Sequence, residues 1–428
     1  MILVIIVFFL LMAMAMPVAF AIGISGAVFF LQQETLAFTV PVQLVLTQTQ
    51  SFVLLAIPLF VFAGNLLNET GITSRLMRFA SVLAGHLQGG VAQANVIVAT
   101  LIGGITGSAI ADASLQARVL GPGMIQREYG RGFSAGVIGF SSLIVTMIPP
   151  SIGLILYGSI GEVSIGRLFA AGIVPGLLMA AFLMTAVGII ARAKKYRPER
   201  ESAAPPREVA AAFIDCIWAI IFPILLIIGL RFGLFTPSEA GAFAVVYAIL
   251  VGVLAYKEFT WQKFLTTLEY TVLDIGMIML LIAMSAIFSY GITWERIPQQ
   301  LAGALLGITT NPQMLMLIII AFLFVAGMFM DSTVLILLLT SILIPVARQA
   351  GIDLVHFGIV MVMTLTFGLL TPPVGIVMYI VCSIFECSIP DFMRESALLL
   401  VAVLAVVLLV VFIPELAIFV PNLIYGQQ

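Results

Sequence analysis

The strongest constraint on this chain is the absence of charge over long distances. Residues 1–33, 35–68, 132–161, 168–191, 275–294, 297–330 and 396–414 contain no Asp, Glu, Lys or Arg. Each stretch supplies the roughly 20 apolar residues that a helix needs to cross a bilayer. In hydrocarbon no water satisfies a free N–H or C=O, so such stretches must fold as helices with internal backbone bonds. Charged residues make up 9% of the chain, against roughly 25% in soluble domains. With 216–230, 240–256 and 354–385 added, the pattern predicts an all-α polytopic membrane protein. About ten to twelve helical segments are expected, some of them re-entrant.

The bilayer is therefore the first partner. A net charge of −2 gives no electrostatic reason to bind nucleic acid. Cys216, Cys382 and Cys387 lie in apolar segments with no CxxC and no neighbouring His, so they read as small packing residues. The N-terminus, MILVIIVFFLLMAMAM, lacks the basic flank of a cleaved signal and reads as a retained helix kinked at Pro17.

Two of the apolar runs are interrupted in the same way. Pro149-Pro150 sits in TMIPPSIG and Pro372-Pro373 in GLLTPPVG, 223 positions apart. A Pro-Pro step removes two N–H donors and stops a straight helix. Broken backbone at membrane depth is tolerated only where protein or a polar cavity covers it. Matched breaks in two halves point to a site at the centre of a membrane transporter.

Other landmarks recur at nearly the same offset. GIT occurs at 71–73 and 291–293, Gly104 in GGITGSAIAD matches Gly327 in AGMFMDST, and Ser164-Ile165 matches Ser388-Ile389. The order implies one unit used twice: a span, an interfacial arm helix, a helical hairpin, a helix broken at Pro-Pro, and a final span. Between the halves lies ARAKKYRPERESAAPPREV, with six basic residues, read as a flexible cytoplasmic linker. The expected division is 1–50 as an N-terminal membrane segment, 51–192 as a first repeat and 193–210 as the linker. Residues 211–272 then form scaffold helices and 273–428 a second repeat. Arg75, Arg78, Arg118, Arg127 and Arg131 place the base of the first hairpin in the cytoplasm. Counting spans from there makes the second repeat enter from the opposite side, an inverted-topology repeat.

The residues at the breaks are mainly Gly, Ser and Thr. Unwound carbonyls and hydroxyls form a hard oxygen cage that suits Na⁺ better than a proton relay. Half-helix N-termini meeting there favour an anionic substrate. The candidates for substrate contact are Thr106, Ser108, Ser141, Pro150, Ser151, Thr366 and Thr371. Those for Na⁺ are Gly104, Gly107, Ser108, Thr146, Pro149, Gly327, Asp331, Thr366, Gly368, Thr371, Pro372 and Gly375. For any one hydroxyl the competing reading is back-bonding to its own helix. Asp331 reads equally as an ion ligand or an N-cap, and a structural role is favoured for Asp112. Asp274, Glu162, Glu386 and Glu415 fall near helix ends, where interfacial roles are expected. An intramembrane aspartyl protease using Asp112 and Asp331 is the alternative from another class. It requires two carboxylates at close range, and IADA and FMDS lack a second glycine before the Asp.

The motifs GGITGSAIADA, MIPPSIGLILYG, VSIGRLFAAGIVPGLL, GMFMD, IPVARQAGIDLVHFGIV and FGLLTPPVGIVMY occur in this order. They resemble the large membrane subunit of TRAP (tripartite ATP-independent periplasmic) transporters over essentially the whole chain. The resemblance implies an inverted-repeat elevator in the inner membrane of a bacterium or archaeon. It also implies a small membrane subunit, a periplasmic substrate-binding protein, and Na⁺-driven import of an organic anion such as a dicarboxylate or sialic acid. On that resemblance the hairpin tips are Gly104–Ser108 and Gly327–Ser332, and the broken helices centre on Thr146–Gly153 and Thr366–Gly375. TGSAIADASLQARVLG departs from the family pattern by carrying Arg118 in place of a small residue, so different packing is expected on that return arm.

Overall fold

The computed structural model describes residues 2–33, 35–37 and 39–426, apart from the side chain of Thr106. Every regular element among these residues is helical. Six helices are long and apolar enough to cross a membrane, or up to eight if each of two sharply bent pairs is one span. The bent pairs are Val40–Thr49 with Val53–Glu69, and Pro206–Asp215 with Ile217–Arg231. The shorter apolar helices account for the remainder of the segments expected from sequence.

Pro17 does more than kink the N-terminus. The chain forms two separate helices, Ile2–Ala13 and Val18–Leu31, with Pro17 as the extended residue before the second. The first helix has already stopped before it, where Ala15 turns left-handed at φ 58° and Met16 N donates to Leu11 O at 3.1 Å. The pair packs on the 34-residue helix Trp261–Trp294, with Phe8 and Phe288 ring centroids 5.9 Å apart.

Two runs of elements share one order. The first has an arm helix (Ile72–Ala84), a hairpin (Gly90–Thr106 and Ala109–Val119), a broken helix (Arg131–Val145 and Ile152–Gly161) and a long helix (Ile165–Ala193). The second has an arm (Ile297–Ile308), a hairpin (Pro312–Phe329 and Ser332–Gln349), a broken helix (Leu354–Gly368 and Ile376–Phe385) and a long helix (Ile389–Phe412). The broken helices have halves of 15 and 10 residues in both runs. Each ends on a left-handed Glu, Glu162 or Glu386, followed by a Ser N-cap at Ser164 or Ser388. The repeated GIT is a poorer guide. Gly71 is the left-handed N-cap of the first arm, whereas Gly291 lies inside Trp261–Trp294 and left-handed Arg296 starts the second arm.

The hairpins differ in length. Pro312–Phe329 and Ser332–Gln349 are each long enough to cross by themselves, whereas Ala109–Val119 has 11 residues and is not. Both nevertheless fold back at their tips. Residues at the open end of the second hairpin, Pro312, Gln313, Gly351 and Ile352, share a cavity of about 250 Å³ with Asp353 and His356. His356 Nε2 lies 2.8 Å from Val410 O there.

The segment at 193–205 is pinned rather than loose. Tyr196 stacks on Tyr129 at 4.4 Å and accepts from Gly130 N at 2.8 Å. Gly85 O accepts from both Glu199 N and Arg200 N, at 2.8 and 3.0 Å. Lys194 pairs with Glu395 at 2.9 Å, and Arg200 with Glu208. That last pair holds the exposed Glu208 carboxyl below the usual carboxylate range. Aromatic stacking and charge therefore order a sequence whose composition alone reads as a flexible linker.

Two outcomes are expected. Glu208→Gln should speed tryptic cleavage of the linker by no more than about five-fold, because an exposed pair contributes little. Raising NaCl should shrink that difference by screening the pair. Phe140 is fully buried between Phe367 and Phe392, with centroids at 6.5 and 6.2 Å. Phe140→Ala should destabilise the protein by roughly 2–3 kcal/mol, below the aqueous ~3–5 because lipid removes part of the transfer term. Phe322→Ala, on a 53% exposed side chain, should leave the melting temperature in detergent unchanged.

Candidate functional site

Both predicted breaks occur where the prolines require them. The chain leaves helical geometry after Val145 and resumes at Ile152, then leaves after Gly368 and resumes at Ile376. The Pro149-Pro150 and Pro372-Pro373 peptide bonds are both cis. Among the described residues, no backbone N–H reaches the carbonyls of Met147, Ile148, Pro149 or Pro150. The same holds for the carbonyls of Leu370, Thr371, Pro372, Pro373 and Val374. Each break thus offers a short run of carbonyl oxygens free to accept elsewhere.

The hairpin tips close over these runs. Gly107 takes φ 62°, a left-handed conformation that glycine adopts without steric cost. A Cβ at Gly107 would lie 2.6 Å from Pro150 O, so only glycine lets the first tip sit on the first break. Gly104 faces Pro149 O and Pro223 of the helix Ile217–Arg231. In the second half, a Cβ at Gly327 would lie 2.7 Å from Leu365 O, and Gly368 backs directly onto Gly327. Gly375 N donates to Met328 O at 3.0 Å, tying the second tip to the second break.

The two broken helices pack antiparallel. Phe140 meets Phe367 at 6.5 Å, Tyr157 meets Phe357 at 6.4 Å, and Tyr157 donates to Leu354 O at 2.7 Å. Ascending order in one is descending order in the other. By interpolation between these contacts, Thr366 lies at the level of Ser141 and Ser142, and Thr364 at the level of Val145, where the first break begins. The hydroxyls of the two 15-residue halves therefore lie level with one another, about a turn before the breaks that follow them.

Most of the predicted hydroxyls spend their proton on their own chain. Thr146 donates to Leu143 O at 2.8 Å, Ser151 to Thr146 O at 2.6 Å and Ser141 to Ile138 O at 3.1 Å. Thr366 donates to Val362 O at 2.8 Å and Thr371 to Phe367 O at 3.4 Å. This is the back-bonding weighed against a site role. It leaves the oxygen lone pairs of Thr146, Thr366 and Thr371 available, whereas Ser141 also accepts from Asn95 and Ser151 from Leu154 N; a cation needs lone pairs rather than protons. Ser108 and Ser151 also cap the helices that start at Ala109 and Ile152. The side chain of Thr106, another candidate, lies outside the described residues.

The two aspartates have separate jobs. Asp331 Oδ1 accepts from Thr333 N at 2.8 Å and caps the second arm of its hairpin. Asp112 is fully buried on the first hairpin, where Gln116 donates to its Oδ2. Asp112 Oδ1 has no hydrogen-bond partner among the described residues. No group of three or more His, Cys, Asp or Glu among the described residues is placed to hold a metal ion. Arg118 is exposed in the last turn of Ala109–Val119, while Ala113 and Ala117 form its buried face, so the departure from the family pattern stays off the packed side.

Sequence reasoning missed three contributors. Asn95, on the first hairpin, donates to Ser141 of the first broken helix at 2.7 Å. Pro223 abuts Gly104 from a scaffold helix. Gln116 holds Asp112 from one turn along the same helix. Gln116 alone was legible, as a polar residue four positions from a buried carboxylate.

The same architecture occurs in proteins of known function. The Alcanivorax borkumensis YdaH transporter superposes with a TM-score of 0.58 at 14% identity, over 89% of each chain. At that identity the likeness is one of fold. Sequence relatives are nearer. The sialic acid TRAP transporter large permease protein SiaM of Vibrio cholerae is 34% identical over 96% of both chains. The 2,3-diketo-L-gulonate TRAP transporter large permease protein YiaN of Escherichia coli is 32% identical over 95% of both. Residues 5–416 match the family described as tripartite ATP-independent periplasmic transporter, DctM component. This is a family of transporters rather than enzymes, so the protease alternative falls. A multi-pass helical chain whose paired helix breaks are each closed by a glycine-tipped hairpin is thus placed by its sequence: it belongs to the large permease subunits of TRAP transporters.

Proposed function

We propose that this chain imports an organic anion across the bacterial inner membrane by secondary transport coupled to Na⁺. The observation that carries the reading is the pair of breaks with free carbonyl runs, flanked by the buried hydroxyls of Thr146 and Ser151 in one half and Thr366 and Thr371 in the other. Carbonyl and hydroxyl oxygens without a cluster of carboxylates suit a monovalent hard cation. Four helices, beginning at Ala109, Ile152, Ser332 and Ile376, direct their N-termini toward the breaks. Each carries roughly half a positive charge, which favours a substrate carboxylate.

The transported solute is a carboxylate. SiaM and YiaN are named for sialic acid and 2,3-diketo-L-gulonate, both organic acids, and dicarboxylates belong to the same chemical class. The family name implies delivery by a periplasmic binding protein and assembly with a small membrane subunit. Residues 51–192 and 273–428 act as inverted repeats, a reading supported by the antiparallel contact of their broken helices. The hairpins and broken helices move together as an elevator, while the arms Ile72–Ala84 and Ile297–Ile308 stay with the scaffold. The second hairpin is re-entrant in this scheme, because its tip is bonded to a break at the centre of the protein.

The test is uptake into proteoliposomes holding this chain with its small subunit and binding protein. An imposed inward Na⁺ gradient should drive accumulation, and replacing Na⁺ by K⁺ or choline should abolish it; undiminished uptake without Na⁺ overturns the coupling. Thr366→Val keeps the shape and removes one oxygen. It should raise the Na⁺ concentration for half-maximal uptake by about ten-fold, corresponding to a ligand contribution of ~1.4 kcal/mol. Saturating rates should change far less, and substrate binding to the periplasmic protein should not change.

A further inference from the structure

The second broken helix ends in a way that brings two thiols together. Glu386 adopts a left-handed conformation, φ 50° and ψ 44°, and Cys387 N donates to Cys382 O at 3.0 Å. This type of helix ending frequently brings the side chains of the two residues joined by that bond into contact. The corner of the first half has the same backbone, with Glu162 at φ 54° and Val163 N donating to Gly158 O at 2.9 Å. There the paired positions hold Gly and Val, so the fold does not need cysteines to make the turn.

Geometry permits a covalent bond between the two. The N···O contact is 3.0 Å, and backbone bonds add about 1.5 Å on one side and about 2.4 Å on the other. The Cα atoms are therefore under about 7 Å apart, overlapping the ~4.4–6.8 Å range of disulfides. Cys387 is partly exposed in the corner, whereas Cys382 is 5% exposed behind it. The neighbouring Cys382 thiol holds the Cys387 thiol below its ordinary value, which favours the thiolate that attacks disulfides. Cys216 is buried elsewhere and hydrogen-bonds Phe213 O at 3.4 Å.

We propose that Cys387 and Cys382 form a redox-active dithiol, Cys387 attacking a small disulfide such as glutathione disulfide and Cys382 resolving the product. The Cys387 thiolate attacks one sulfur of glutathione disulfide. The S–S bond breaks, and a glutathione thiolate leaves and takes a proton from water. Cys382 then loses its proton to water and attacks the Cys387 sulfur of the mixed disulfide, expelling the second glutathione. Two protein thiols are oxidised by two electrons, and one glutathione disulfide is reduced to two glutathiones. The new bond staples the corner at which Glu386 pairs with Arg131 at 3.0 Å and Phe385 packs on Gly121. It therefore acts at the joint between the first hairpin region and the second broken helix.

The experiment treats the purified full-length chain in lipid nanodiscs with glutathione disulfide or with dithiothreitol. N-ethylmaleimide labelling and mass spectrometry of the peptides follow. In the wild-type chain, glutathione disulfide should abolish labelling at both positions, with the peptide lighter by two hydrogens and carrying no glutathione. Cys382→Ser should trap glutathione on Cys387, and Cys387→Ser should leave Cys382 without an adduct. Cys216→Ser should behave as wild type, a check that loss of a buried thiol does not itself alter the result. A stable glutathione adduct on wild-type Cys387 overturns the proposal. So does undiminished labelling of both cysteines, or failure of Cys382→Ser to trap the adduct.

Discussion

A carbonyl without a donor is tolerated in water and expensive in hydrocarbon, and that asymmetry organises this protein. The two Pro-Pro steps leave the carbonyls of Met147–Pro150 and Leu370–Val374 without backbone partners. Each such group would cost several kcal/mol against lipid. The fold buries the first run by closing a hairpin tip over it and laying the two broken helices side by side, and ties the second run to its own tip while Pro373 and Val374 stay exposed. Gly107 and the Gly327–Gly368 contact follow directly, because the covering backbone must approach within van der Waals distance of the backbone it covers. The groups that make the structure costly are also the ones on which the proposed Na⁺ site draws. Site and fold are therefore the same solution to one problem.

The two halves show how far that solution constrains side chains. At the corners after the broken helices, left-handed Glu162 and Glu386 and the caps Ser164 and Ser388 agree. These residues set backbone direction. The positions that only touch across the corner diverge, Gly158 and Val163 in one half, Cys382 and Cys387 in the other. The hairpins diverge as well, with a short return arm of 11 residues in the first and one of 18 in the second. Duplicated backbone geometry thus leaves room for chemistry present in one half alone.

Much of this was legible in the residues. Uncharged runs imposed helices, Pro-Pro imposed breaks, and Asp before an apolar run marked the cap at Asp331, whereas Ser108 and Ser151 read only as site hydroxyls. Pro17 was legible as a disturbance but not as a complete stop, because the strength of a proline break depends on what packs around it. GIT misled because three matching letters ignore the helix phase in which they fall.

What the sequence determined by itself was local: which segments must be helical in a membrane, where the backbone has to break, and which residues cap the resumed helices. These follow from side-chain polarity and backbone sterics within a few positions. Only the tertiary structure decided that Thr366 lies level with Ser141, that Pro223 abuts Gly104, that Tyr196 and Glu199 pin the linker, and that the hydroxyls donate to their own chain. Several of those relations join residues more than 100 positions apart, such as Gly104 and Pro223 or Tyr157 and Leu354. They are set by packing of separately formed helices, whose register no local rule encodes.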